Sequence, residues 1–159
     1  MDSAFTWDKR FLDLSGLVSG WSKDPSTKVG AVVVDDDRRV ISLGYNGFPR
    51  GVEDDGRLED RESKYKIITH AEANALLFAT QSLKGCTIYT YPFMPCSRCA
   101  GLIIQAGIKR VASFVSRNRR WEKDFAIARG ILCEAGVQVN EFDENFFEMI
   151  DEWIDSDIY

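Results

Sequence analysis

Only one histidine occurs in the 159 residues, and this removes every histidine-based mechanism except one built around His70. Long apolar runs are missing as well. No stretch approaches the roughly 20 residues needed to span a bilayer, so a membrane protein is not expected. Prolines number 4, hydrophobic residues make up 45% and charged residues 28%, a balance typical of soluble globular chains. The length suits one core, so a single domain over residues 1–159 is expected. A positive balance is also missing. The net charge of -5 argues against a broad electrostatic grip on a nucleic-acid backbone, while leaving room for a local basic patch that holds one phosphate. The first residues, Met1-Asp2-Ser3-Ala4-Phe5-Thr6-Trp7-Asp8, have neither the basic start nor the apolar stretch of a secretory signal, which makes the cytoplasm the expected compartment. The 4 cysteines are not spaced as a disulfide framework. In a reducing compartment the Cys96-x-x-Cys99 pair reads as a metal or redox site, whereas Cys86 and Cys133 read as small buried thiols.

There are no internal repeats and no low-complexity tract, and periodicity divides the chain into alternating elements. Residues 5–21 place Phe11, Leu12, Leu14, Leu17, Val18 and Trp21 on one helical stripe. The β-branched run at 29–34 and the segment 40–45 flank Asp35-Asp36-Asp37 and read as a hairpin. Residues 49–65 are polar, charged and glycine-containing, which predicts a surface loop beside a pocket mouth. Helices are expected at 70–80, 97–106, 122–135 and 145–154, with Gly107 and Gly136 as terminators. Strands are expected at 87–91, 111–115 and 137–141. A hairpin followed by alternating helices and strands predicts an α/β fold in which helical layers enclose a sheet.

His70-Ala71-Glu72, followed by Pro95-Cys96-Ser97-Arg98-Cys99, matches the pattern H-x-E and P-C-x-x-C of the zinc-dependent deaminases. The chemistry can be rebuilt from the residue types. One imidazole and two thiolates give zinc three ligands and leave a fourth tetrahedral position open, which is the arrangement of a catalytic rather than a structural site. If each motif opens a helix, the positive helix ends favour the thiolate forms of Cys96 and Cys99, and Pro95 sets the backbone that enters the turn. Glu72 supplies the proton carrier, giving a proton to N3 of a cytosine ring and then one to the amine that leaves as ammonia. A lone histidine is more often a core or surface residue, and a lone C-x-x-C is often half of a structural site. It is their combination with Glu72 that makes the signal specific.

Beyond the zinc motif, the sequence resembles the deoxycytidylate deaminases of the cytidine deaminase superfamily. The resemblance runs through Ser22-Lys23-Asp24-Pro25, Val29-Gly30-Ala31, Gly44-Tyr45-Asn46-Gly47, His70-Ala71-Glu72-Ala73-Asn74-Ala75, Gly85-Cys86-Thr87-Ile88-Tyr89, Cys99-Ala100 and Ile103-Ile104-Gln105-Ala106-Gly107-Ile108. It implies a three-layer α/β/α sandwich around a five-stranded mixed sheet, a Zn2+ cofactor and conversion of dCMP to dUMP, which feeds thymidylate synthesis. By the same resemblance Asn46 would hydrogen-bond the sugar, Val29 would line the base pocket and the backbone of Ala71 would hold the base. A homohexamer, dCTP and dTTP as effectors, and Gly44, Tyr45, Asn46 and Gly47 as an effector-binding segment are also implied. For the 5′-phosphate the sequence offers Ser22, Lys23, Ser26 and Lys28 before the first strand, and Ser116, Arg117, Asn118, Arg119 and Arg120 after a later one. Strand-end loops commonly bind ligands, and Arg117 followed by Lys28 is the preferred pair. Trp121 would cover the base or cap the core. Residues 49–65 contain no Cys or His, so a second zinc site there is not expected. The alternatives are a deaminase of another cytosine nucleotide, a deaminase of a base in single-stranded nucleic acid, and a zinc-stabilised binding protein without turnover.

Overall fold

The computed structural model describes residues 3–145 and 148. Five strands form one sheet, β1 (Gly30–Val34), β2 (Val40–Tyr45), β3 (Thr87–Tyr91), β4 (Arg110–Phe114) and β5 (Gln138–Phe142), in the order β2-β1-β3-β4-β5. β1 pairs antiparallel with both β2 and β3, while β3–β4 and β4–β5 are parallel. Both parallel pairs need a crossover, and helices supply it. These are α4 (Ser97–Gln105) and α5 (Glu122–Glu134). Gly107 and Gly136 follow them with φ of 77° and 75°, the left-handed turn expected just past a helix end.

Alternation along the strands sends side chains to two faces. On one face α1 (Ala4–Ser19) packs Phe11, Leu12 and Val18 against Val32, Val34, Tyr89, Ala112 and Phe114. On the other, Ala31, Val33, Ile88 and Val111 meet Ala71, Ala75, Ala100, Ile103, Phe125, Ala128 and Leu132, contributed by α3 (Ala71–Phe78), α4 and α5. This is the three-layer sandwich with a mixed sheet. Each fully buried Leu, Ile or Val here contributes about 1.5–3 kcal/mol. The expected helix at 145–154 lies outside the described residues except for Asn145 and Glu148.

The buried stripe of α1 differs from the sequence reading. Leu17 and Trp21 are exposed, and Asp8, Ser15 and Ser19 are buried in their stead. The reason is steric. A Cβ on Gly30 would stand 2.0 Å from the Ser15 carbonyl oxygen, so β1 runs against the α1 backbone and only small side chains fit between them. Asp8 is buried because Arg110 grips it through two bonds of 2.7 and 2.8 Å and the Tyr89 hydroxyl donates to it at 2.8 Å.

Residues 49–65 are likewise not a plain loop. They contain a 3-10 turn, Gly56–Leu58, and most of a further helix, α2 (Arg61–Ile67). Asp60 caps α2 by accepting from the Ser63 N–H, and Leu58 is buried. Lys64 is buried too, donating to Asp24 at 2.9 Å and to Ser26 Oγ at 3.0 Å. Cys86 is buried as expected, but Cys133 is exposed, because it lies off the α5 stripe that buries Phe125, Ala128 and Leu132.

Candidate metal centre and substrate cavity

His70 and Cys96 occupy the residues immediately before α3 and α4, and neither side chain caps its own helix. Both side chains are thereby free for another partner. Cys96 Sγ lies 3.4 Å and Cys99 Sγ 3.5 Å from His70 Nδ1, and the three donor atoms fall within 4.8 Å of one another. His70 is exposed, Cys96 half-buried and Cys99 buried, so the cluster opens toward solvent on one side. An imidazole and two sulfurs converging at the starts of two helices fit the donor set that zinc prefers.

Backbone pairing fixes the approach to His70. Thr69 donates to the Gly47 carbonyl at 2.8 Å and accepts from the Gly47 N–H at 3.1 Å. Gly44 packs β2 onto α3, since a Cβ there would meet the Ala71 oxygen at 2.4 Å and the Ala75 nitrogen at 2.5 Å. The three donors are coupled through the hydrogens they share. The hydrogen bond with Cys99, and then the one with His70, hold the Cys96 thiol down to about 4, while the contact with Cys96 pushes Cys99 up. The hydrogen bond with Cys96 raises His70. Glu72, in the first turn of α3, is only 4% exposed. Burial pushes its carboxyl above the usual carboxylate range, and the charge on His70 opposes that shift. A carboxyl raised in this way is better suited than an ordinary one to carry a proton.

His70, Ala71, Glu72 and Cys96 border a cavity of about 150 Å³. Its other walls include Val29, Asn46, Phe93 and Phe125, and, from α2 and the segment after β4, Arg61, Lys64, Tyr65, Asn118, Arg120 and Trp121. Asn46 is buried and rigidly held. Its Oδ1 accepts from Val29 N–H at 2.8 Å, its Nδ2 donates to the Thr27 carbonyl at 2.9 Å, and its own carbonyl accepts from Ser22 Oγ at 2.8 Å. Tyr65 meets Trp121 edge-on at 6.2 Å, and its hydroxyl accepts from Arg120 at 3.1 Å. The Arg120 guanidinium also stands 4.9 Å from the centre of the Trp121 ring.

Among the phosphate candidates, Ser26, Asn118 and Arg120 border the cavity, but Lys28 and Arg117 do not. Lys28 is exposed beside the cavity-lining Val29. Arg117 is also exposed and lies 3.9 Å from Asp143. Lys23 is drawn to Asp54 at 2.7 Å. Trp121 lines the cavity and packs against the core. Of the segment 44–47, only Asn46 reaches the cavity. Tyr45 stands edge-on to Trp21 at 6.1 Å, and its carbonyl accepts from Asn74 Nδ2 at 2.8 Å. Arg61, Lys64 and Tyr65 line the cavity without being among the residues the sequence singles out. Asp60 followed by Glu62 in the first turn and Lys64 and Lys66 in the last is the charge signature of a short helix, and it was available in the sequence.

Comparison with known proteins agrees with this geometry. Residues 5–115 match the cytidine and deoxycytidylate deaminase zinc-binding region. The chain is 35% identical over 156 residues to the deoxycytidylate deaminase of Mus musculus, covering 94% of this chain and 86% of that protein. It is 44% identical over 139 residues to an uncharacterized deaminase of Aliivibrio fischeri, covering 84% and 91%. The crystal structure of a cyanophage S-TIM5 dCMP deaminase in complex with dCMP and dUMP superposes with a TM-score of 0.72 at 27% identity, covering 89% of this chain and 99% of that one. With the His70-x-Glu72 and Cys96-x-x-Cys99 donors assembled at two helix starts, the chain belongs to the cytidine and deoxycytidylate deaminase family that carries this zinc-binding region.

Proposed function

We propose that this chain, as one deaminase domain over residues 1–159, hydrolyses dCMP to dUMP and ammonia and so supplies dUMP for thymidylate synthesis. The observation that carries the reading is a single cavity in which buried Glu72 stands with His70 and Cys96 while Arg61 and Arg120 supply positive charge. A cytosine ring needs the first group and a phosphate the second. Arg120 is already oriented by Tyr65 and Trp121, and a preoriented guanidinium suits a phosphate dianion.

His70, Cys96 and Cys99 would hold the metal. A zinc ion held there would supply the nucleophile from water at neutral pH, by lowering the water pKa to about 7. The chain's own residues do the rest. Val29 and the Ala71 backbone seat the base, and Asn46 meets the sugar. Glu72 takes the proton released by the attacking water and gives it to N3 as C4 becomes tetrahedral, then moves the proton of the new C4 hydroxyl to the exocyclic amine, so that the C4 carbonyl forms and ammonia departs. Arg120 and Arg61, with Ser26 and Asn118 beside them, hold the 5′-phosphate. Free cysteines suit a reducing compartment, which supports a cytoplasmic setting. Exposed Leu77, Phe78 and Leu102 on α3 and α4 support assembly into a homo-oligomer, of six subunits as the family resemblance implies.

Ammonia release measured on zinc-loaded protein with dCMP, CMP, dCTP, deoxycytidine and a cytosine-containing oligonucleotide tests the reading. The expected result is preferred turnover of dCMP. Turnover of the oligonucleotide or the nucleoside without dCMP would keep the zinc chemistry and overturn the substrate. Adding dCTP and dTTP to the dCMP reaction tests their role as effectors.

A further inference from the structure

The start of α4 poses a problem of hydrogen-bond supply. The first N–H groups of a helix lack intrahelical acceptors and are normally satisfied by the side chain at the N-cap. Here the N-cap is Cys96, whose sulfur is directed to His70 Nδ1 at 3.4 Å and makes no cap. The acceptor comes from another helix. Asp124, in the first turn of α5, accepts the Ser97 N–H on Oδ2 at 2.9 Å and the Ser97 hydroxyl on Oδ1 at 2.6 Å. Both oxygens of one half-buried carboxylate are thus committed to the residue that directly follows Cys96 in the metal-binding turn.

Such a two-point, charge-assisted contact fixes both the position and the rotation of the turn. Ser97 lies one residue after Cys96 and two before Cys99, so any rotation of the α4 start moves both sulfurs relative to His70. The same turn of α5 carries Phe125, which is buried, borders the cavity and packs against Phe93 at 5.3 Å. Trp121 stands at the N-cap of α5.

We infer that Asp124 is a positioning residue of the metal centre, capping the C-x-x-C helix from outside so that Cys96 is free to bind the ion, and tying that helix to the cavity wall formed by Trp121 and Phe125. This rests on the reading that His70, Cys96 and Cys99 hold zinc. Outer contacts that orient metal ligands typically change metal affinity about 10- to 100-fold when removed. Asp124→Ala is therefore expected to weaken zinc affinity by about that factor and to alter the visible absorption of the cobalt-substituted protein, which reports ligand geometry. Asp124→Asn keeps an oxygen that can accept the Ser97 N–H, and recovers most of the affinity. Ser97→Ala removes only the hydroxyl contact and gives a smaller loss, so it decides the matter if Asp124→Ala does not fold.

The experiment is zinc competition against a chromophoric chelator, together with cobalt absorption spectra and the unfolding temperature of metal-stripped protein, for wild type and the three variants. Weakened zinc binding with a changed cobalt spectrum in Asp124→Ala, and recovery in Asp124→Asn, is the expected outcome. An Asp124→Ala protein that is only less thermostable, with wild-type zinc affinity and an unchanged cobalt spectrum, would overturn the inference. A wild-type chain that takes up neither ion at the cysteines would instead sink the metal assignment on which it rests.

Discussion

The two sides of the cavity are built by different means. On the metal side, His70, Glu72, Cys96 and Cys99 stand in or just before the first turns of α3 and α4, whose other faces are packed into the sheet through Ala71, Ala75, Ala100 and Ile103. On the opposite side, Arg61, Tyr65, Asn118, Arg120 and Trp121 come from a short helix and a segment with a single 3-10 turn, held by aromatic edges, one hydroxyl contact and the buried Lys64–Asp24 pair. Reaction chemistry needs ligand positions fixed within fractions of an ångström, which core-packed helices provide. Choice among nucleotides depends on wall residues, and these can change without disturbing the sheet. The difference fits the proposal that turnover belongs to one side and substrate selection to the other.

Substitutions on the two sides should therefore fail in different ways. The largest effect is expected from Glu72→Gln, which keeps the size of the side chain and removes its proton transfer. Its kcat for dCMP should fall by about 10²–10⁴-fold with zinc content unchanged, as checked by ammonia release alongside metal analysis. Wild-type turnover in this variant would mean that the proton carrier lies elsewhere.

Lys64→Ala comes next and acts through stability. Lys64 and Asp24 are each 5% exposed at the side chain, and removing one member of such a buried pair leaves the other charge uncompensated, at a cost of about 3–5 kcal/mol. Denaturant unfolding should show that loss, with α2 and its other two cavity residues, Arg61 and Tyr65, displaced. A loss below about 1 kcal/mol, the size expected of a surface pair, would mean that α2 is anchored by other contacts.

Arg120→Ala should be milder and selective. Charge-assisted hydrogen bonds contribute about 1.5–3 kcal/mol, so kcat/KM for dCMP should drop by about 10- to 150-fold, by conversion at 1.4 kcal/mol per factor of ten. The value for deoxycytidine, which has no phosphate, should hardly move. Equal losses on both substrates would remove Arg120 from the phosphate site. The smallest effects belong to Arg117→Ala and Lys28→Ala. Both residues are exposed and outside the cavity lining, and steady-state kinetics on dCMP should match wild type within about twofold, the scale of a surface substitution.

The same contrast explains what could be read from sequence. The metal side was legible because its information is local. His70 and Glu72 are two residues apart, Cys96 and Cys99 three, and Pro95 and the helical periodicity mark the context. The strands were legible for a similar reason, since β-branched runs such as 30–34 are bounded by charged or glycine-containing turns. The far wall depends on contacts between residues distant in sequence. Lys64 is buried only because Asp24, 40 residues away, meets it, and without that partner the polar stretch 49–65 reads as loop. Arg120 and Arg117 are indistinguishable by composition. What separates them is Tyr65 OH on one side and Asp143 on the other. Leu17 and Trp21 were placed on the buried stripe of α1 because periodicity could not show that Gly30 brings β1 against Ser15.

Zinc-dependent turnover of dCMP, followed as ammonia release by one protein sample before metal removal, after chelator dialysis, and after addition of one equivalent of zinc, tests the metal and substrate together. Activity that disappears on chelation and returns with zinc is the predicted result. Undiminished dCMP turnover by protein shown to contain no metal would contradict it.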